Sequence, residues 1–275
     1  MKVVIKYTAA PEYLFKTTDN SCLLSLTEKD EFHTITAKIL WLSQRTRPDV
    51  QLSVGFYWTK IQASIYHDWK KLTHLLSYLW TIRFIPLIII NDEKRLLFTL
   101  MVHTNCKGRS GLFVTQGKGA MIIFSKKLGL VTNSSTETEI VTTGKRLPKC
   151  TWFRHFRIEH GEPVREYVLM QDNKNCMLLQ KNGQFSVGKG SKHIHIRYFF
   201  ATYKFDKWEL KLIYCPTGKM IADFCTKPLQ GAIVVEFRNK MQGIQVEDFR
   251  KYKRHYVEIL KQYDLYENED DLFNI

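Results

Sequence analysis

Apolar positions first recur with helical spacing after Glu31. Phe32, Ile35, Ile39 and Leu42 follow at three- and four-residue steps, with His33, Lys38, Gln44 and Arg45 on the other side, which predicts an amphipathic helix. Arg47-Pro48-Asp49 restarts the pattern, because proline favours the first turn, and Val50, Val54, Tyr57, Trp58 and Ile61 continue it. Asp68-Trp69-Lys70-Lys71 announces a third helix carrying Leu72, Leu75, Leu76 and Leu79. Residues 31–83 therefore read as a small helical unit. Residues 1–30, with Pro11, Asp19, Asn20 and Ser21 as turn signals, read as an irregular lead-in.

The period then changes. Residues 84–90 and 95–102 are short apolar runs that predict strands, and residues 112–115 and 120–124 continue the series between Gly108, Gly111, Gly117 and Gly119. Such close spacing predicts an antiparallel meander. Ser134-Ser135-Thr136-Glu137 is helix-start chemistry, and the helical stretch runs through Ile140, Val141 and Leu147 to a restart at Pro148 with Trp152, Phe153 and Phe156. Residues 167–170 predict a strand ended by Asp172, and residues 173–181 a helix. Residues 182–192 predict a glycine- and lysine-rich basic loop, residues 193–205 a helix, and residues 208–214 a strand. Pro216-Thr217-Gly218 then turns into a short helix holding Asp223. The expected class is α/β: a mixed sheet of three antiparallel strands followed by parallel ones, with flanking helices, preceded by the helical unit. Beyond Pro228 the chain is more weakly patterned. Residues 231–275 form a C-terminal helical segment with an acidic end.

Composition adds a partner class. The 275 residues are 44% hydrophobic and 13% aromatic, enough to bury a core. Lys and Arg number 41 against 27 Asp and Glu, a formal charge of +14, which favours a polyanionic partner, most simply nucleic acid, over a basic surface that binds nothing. The six cysteines are scattered, with no Cys-x-x-Cys pair, so reduced thiols and an intracellular setting, cytoplasm or nucleus, are expected. No stretch has the length of a membrane span or the form of a signal peptide.

Three carboxylates stand out by setting: Glu139 in Ser-Ser-Thr-Glu-Thr-Glu-Ile, Asp172 in Leu-Met-Gln-Asp-Asn, and Asp223 in Ile-Ala-Asp-Phe-Cys. Magnesium prefers oxygen ligands, and two such ions about 4 Å apart can activate a water and hold the leaving oxygen of a phosphodiester. Three acids over one sheet would suit that chemistry. Each also has an ordinary reading. Glu137 and Glu139 would be first-turn helix acids, Asp172 a helix cap, and Asp223 a partner of Lys219 or Lys227.

An ordered series of short motifs goes further. It comprises Phe32-His33-Thr34 with Ala37-Lys38, Arg47-Pro48-Asp49-Val50-Gln51, Asp68-Trp69-Lys70-Lys71-Leu72, and Lys107-Gly108-Arg109-Ser110-Gly111. It continues with Ser134-Ser135-Thr136-Glu137-Thr138-Glu139, Gln171-Asp172-Asn173, Lys192-His193-Ile194-His195-Ile196-Arg197-Tyr198, and Tyr214-Cys215-Pro216-Thr217-Gly218 leading into Ala222-Asp223-Phe224 and Thr226-Lys227-Pro228-Leu229. In this order the series resembles the reverse transcriptase–ribonuclease H region of Ty1/copia-type retrotransposon Pol polyproteins.

The resemblance implies a ribonuclease H-like fold for residues 84–230, a thumb- or connection-like remnant for residues 31–83, and a chain like the C-terminal end of Pol without its polymerase palm. It implies hydrolysis of the RNA strand of RNA–DNA hybrids with two Mg2+ ions, or Mn2+. Glu139, Asp172 and Asp223 align with three of the four metal-binding acids. Asn173, Lys192, His193 and Arg197 lie near the expected site in sequence or alignment and are candidate nucleic-acid contacts, each with an equal reading as a solvated surface group. The family's first strand carries the fourth acid in Val-Asp-Ala-Ser-Tyr, which aligns here with Val102-His103-Thr104-Asn105-Cys106. His103 thus replaces the acid. An imidazole is a poor ligand for hard magnesium, so impaired catalysis is expected. The alternative is a catalytically inactive, transposon-derived module that binds nucleic acid or protein.

Overall fold

The structure is a computed structural model that describes residues 4–17, 21–91, 97–104, 108–129, 134–162, 164, 166–183, 200–207 and 210–262. Its elements run α1 (Leu26–Arg45), α2 (Gln51–Trp58), α3 (Tyr66–Thr81), β1 (Ile90–Asn91), β2 (Leu97–Thr104), β3 (Arg109–Thr115), β4 (Gly117–Lys118), β5 (Ile122–Lys127) and α4 (Ser135–Glu159). They continue with β6 (Glu166–Gln171), α5 (Lys174–Asn182), α6 (Phe200–Asp206), β7 (Lys211–Tyr214), a 3-10 helix at Ile221–Cys225, α7 (Ala232–Gln242) and α8 (Phe249–Gln262). The chain divides into two compact units, residues 1–88 with 228–275, and residues 89–227. Among the described residues no helix is long and apolar enough to cross a membrane.

The first unit is helical. Ser25 caps α1 in a reciprocal box: its hydroxyl accepts from the Glu28 N–H, and the Glu28 carboxylate accepts from the Ser25 N–H. Phe32, Tyr57, Leu72, Leu75 and Tyr78 bury the facing sides of α1, α2 and α3. Residues 84–90, expected as a strand, are not one apart from the short β1. Ile85 is instead buried in this helical core, Pro86 has no N–H for a ladder, and the Ile88 N–H donates to the Gln242 carbonyl at 2.8 Å. The segment after residue 230, which the local pattern sets apart, belongs to this unit. Ile244 is in its core, and Gln242 donates to the Asp49 carboxylate at 3.0 Å.

Asp49 is the hub of that core's polar network. Arg47 grips it with two hydrogen bonds of 2.9 and 2.7 Å, and the Tyr78 hydroxyl adds one of 2.6 Å. Burial alone would push the Asp49 carboxyl up, but the Arg47 guanidinium and these donors hold it below the ordinary range.

The second unit is a mixed α/β domain. Its five-stranded sheet has the order β5-β3-β2-β6-β7, with β5, β3 and β2 antiparallel and β2, β6 and β7 parallel. The three-antiparallel-then-parallel order read from the sequence is therefore present. Leu112, Val114, Tyr167 and Leu169 from the strands pack with Leu147 and Cys150 of α4 and with Ala201 and Leu210. Alternation along β3 turns Gly111 to the other face, where the 3-10 helix at Ile221–Cys225 packs. Helix α4 runs without a break through Pro148, which is exposed, while its neighbours Leu147 and Cys150 are buried. The expected restart is thus absorbed into one helix, at the loss of a backbone hydrogen bond.

Candidate functional site

Strand register gathers the sequence-predicted positions at one end of the sheet. The β2–β6 pairing ends at Met101 opposite Met170, and His103 and Asp172 stand two residues further along these parallel strands. Across the antiparallel pair, His103 is in register with Gly111. Gly111 in turn lies against the helix carrying Asp223: a Cβ there would meet the Ala222 carbonyl oxygen at 2.6 Å and the Cys225 Cβ at 2.8 Å. Backbone geometry therefore sets position 103, the end of β6 and the Asp223 turn at a common level. That level is the carboxyl end of β2 and β6, where α/β sheets commonly bind ligands.

Glu139 reaches this end from the opposite face, on the first turns of α4. The Ser134 hydroxyl caps that helix by accepting from the Glu137 N–H at 3.1 Å. Ile140 and Val141 pack against Cys176 of α5, which ties the start of α4 to the segment after Asp172. The buried Cys176 thiol registers both acids. Burial first, then the Glu139 carboxylate, push it well above its ordinary range. A hydrogen bond from Gln171 opposes this, and Asp172 adds to it. Glu139 and Asp172 thus act on one buried atom.

Asp172 is half-buried and held from two sides. Its N–H donates to the Gln171 side-chain oxygen at 2.9 Å, and its Oδ2 accepts from the Thr217 hydroxyl at 3.3 Å. It does not cap α5. Asn173 does, accepting from the Cys176 N–H at 3.0 Å while its amide donates to Thr136 at 3.3 Å. Both ends of the Asn173 side chain are thereby used within the fold. Asp223 is buried, and of its two possible lysine partners it takes Lys227, whose ammonium lies 2.9 Å from Oδ2. The His103 backbone lies in β2. Lys192, His193 and Arg197 lie outside the described residues.

The donor types suit a divalent cation, since carboxylate oxygens are what magnesium takes. The arrangement is less complete. Among the described residues, no three His, Cys, Asp or Glu side chains are gathered into a group that could hold a metal ion. A cation would have to draw the acids together and displace Lys227 from Asp223. Pattern reading did not single out Cys176, Gln171, Thr217 or Gly111 as parts of this end of the sheet. Gly111, Gln171 and Thr217 do fall inside the ordered motifs, but with no role attached to them, and Cys176 has only its place one helical turn after Asp172 as a signal.

The chain is 30% identical over 123 residues to the retrovirus-related Pol polyprotein from transposon TNT 1-94 of Nicotiana tabacum, a stretch covering 45% of this chain and 9% of that polyprotein. No family model matches the chain, and no solved structure matches it. The similarity supports a retrotransposon Pol-related origin for this protein.

Proposed function

We propose that residues 89–227 are a ribonuclease H-like domain, derived from a Ty1/copia-type Pol polyprotein, that engages RNA–DNA hybrids and hydrolyses the RNA strand only weakly. The observation that carries this reading is the sheet register. It sets position 103, Asp172 and the Asp223 turn at one end of a β5-β3-β2-β6-β7 sheet, with Glu139 arriving on α4. The ordered motifs and the Pol relative support the same reading.

Glu139, Asp172 and Asp223 are the residues that would hold a divalent cation. When bound, it would supply Lewis-acid activation of water and charge neutralisation at the scissile phosphate. The chain's own groups set the geometry. Thr217 and Gln171 orient Asp172, the Ser134 cap fixes the turn that presents Glu139, and Lys227 holds Asp223. His103 brings no carboxylate to the fourth position, and that absence is the reason for weak hydrolysis.

The same two features, His103 and the Lys227–Asp223 pair, favour binding without cleavage as the second reading. Calorimetric titration with Mn2+, read beside cleavage of a labelled hybrid, separates the two. Cation binding that is lost in Asp172→Asn supports the nuclease reading. Hybrid binding with no cation affinity supports the module that only binds.

A further inference from the structure

The outer face of α4 carries a feature that hydrolysis does not use. Lys145, Lys149, Trp152, Phe156 and the C-cap His160 follow at steps of four, three, four and four residues, which puts them in one stripe along the helix. All five are exposed, Trp152 at 62% and Phe156 at 44%. Their rings form a ladder. Trp152 stacks on Phe156 with centroids 5.6 Å apart at 26°, and Phe156 meets His160 at 4.1 Å. Apolar rings this large are not left in water by core packing, since the inward side of this part of α4 is already filled by Leu147, Cys150 and Phe153.

Charge selects the occupant. Lys149 lies 4.5 Å from the centre of the Phe124 ring on the edge strand β5, and Arg146 lies 5.1 Å from the same centre. Strand alternation puts the exposed Lys126 on the same face as Phe124. A cationic row from Lys126 through Lys145 and Lys149 therefore leads into the aromatic ladder. From Gly144 to His160 the helix carries five Lys and Arg against the one carboxylate Glu159. Outside that span, Glu162 pairs with Arg157 at 2.8 Å and leaves the lysine row untouched.

We infer that this stripe is a binding track for single-stranded nucleic acid, with phosphates on Lys126, Lys145 and Lys149 and unpaired bases against Trp152 and Phe156. Stacking on exposed rings requires bases that are not already paired, which separates this occupant from duplex. Trp152 lies about 20 Å along the helix axis from Glu139, and its exposed stripe points away from the buried Glu139, so the track is a surface separate from the carboxylates.

The test is fluorescence anisotropy of a labelled oligothymidylate with the full chain, without divalent metal, across a salt series. The absence of metal and hybrid keeps this readout separate from any failure of the nuclease reading. The paired change Trp152→Ala and Phe156→Ala should weaken binding by about tenfold or more. Lys145→Ala with Lys149→Ala should lower the slope of log affinity against log salt by about 1.4. Both rings are exposed, so circular dichroism should confirm an unaltered fold. Affinity unchanged by the ring changes, or no binding by the unmodified chain at low salt, overturns the inference. So does a self-associated chain that the ring changes convert to monomer while oligonucleotide affinity stays the same, because the ladder would then be a protein interface.

Discussion

Gly111 and Ala222 leave no room between them: a Cβ on Gly111 would stand 2.6 Å from the Ala222 carbonyl oxygen. The obstacle is backbone and cannot rotate aside. Gly111 is also the register partner of His103, so this approach joins the central strand to the turn that presents Asp223.

Gly111→Ala should therefore lower the stability of the α/β unit by about 1–3 kcal/mol, as overpacking of a well-filled core does. Chemical denaturation followed by fluorescence checks it. A midpoint equal to that of the unmodified chain would mean that the turn does not sit on β3.

The buried Asp49 network predicts acid sensitivity in the helical unit. The Asp49 carboxyl is held below its ordinary range, so its stabilising effect is complete above the unfolded-state value of about 3.9 and is lost as pH falls through the lower folded value. Asp49→Ala leaves Arg47 buried without its partner and should destabilise by about 3–5 kcal/mol at neutral pH. Thermal melts between neutral and acid pH should show the unmodified chain losing stability at low pH, while the Ala variant, already weakened, loses less.

Thiol chemistry reports on the packing. Burial pushes the Cys150 thiol up to about 12 and raises Cys176 and Cys225 as well, whereas Cys22 is exposed. An aromatic disulfide reagent at mildly alkaline pH should label Cys22 rapidly and leave Cys150, Cys176 and Cys225 unmodified until denaturant is added. Peptide mapping that finds Cys176 labelled in the native chain would contradict the packing of α4 on α5.

Local pattern carried α2, α3, β3, β5, β6, the capped start of α4 and α1 from Glu31 onward, because each has an apolar period or a cap within its own few residues. Residues 26–30, expected in the irregular lead-in, are instead the first turns of α1 behind the Ser25 cap. It failed where distant contacts decide. The apolar run at 84–90 resembles a strand, yet Ile85 is buried in the helical core and Phe84 and Ile88 pack against it, while Ile89 and Ile90 are exposed. Gln242 and Asp49 are 193 residues apart, and no window spans them. At the site, the acids were visible as motifs. The choice of Asn173 over Asp172 as cap, and of Lys227 over Lys219 as partner of Asp223, depends on side-chain directions that spacing does not encode.

Lys227 competes with any cation for Asp223. Lys227→Ala should strengthen Mn2+ binding by about tenfold, near 1.4 kcal/mol, in a calorimetric titration. An affinity that stays the same or falls would show that Asp223 is not part of a cation site.

The most direct measurement compares single-turnover cleavage of the RNA strand of a labelled RNA–DNA hybrid by the full chain and by His103→Asp, with Mg2+ and with Mn2+. The proposed site predicts weak or absent cleavage by the unmodified chain and a gain of tenfold or more in the Asp variant, abolished again when Glu139→Gln is added. Robust cleavage by the unmodified chain, or a gain in His103→Asp that survives Glu139→Gln, would contradict it.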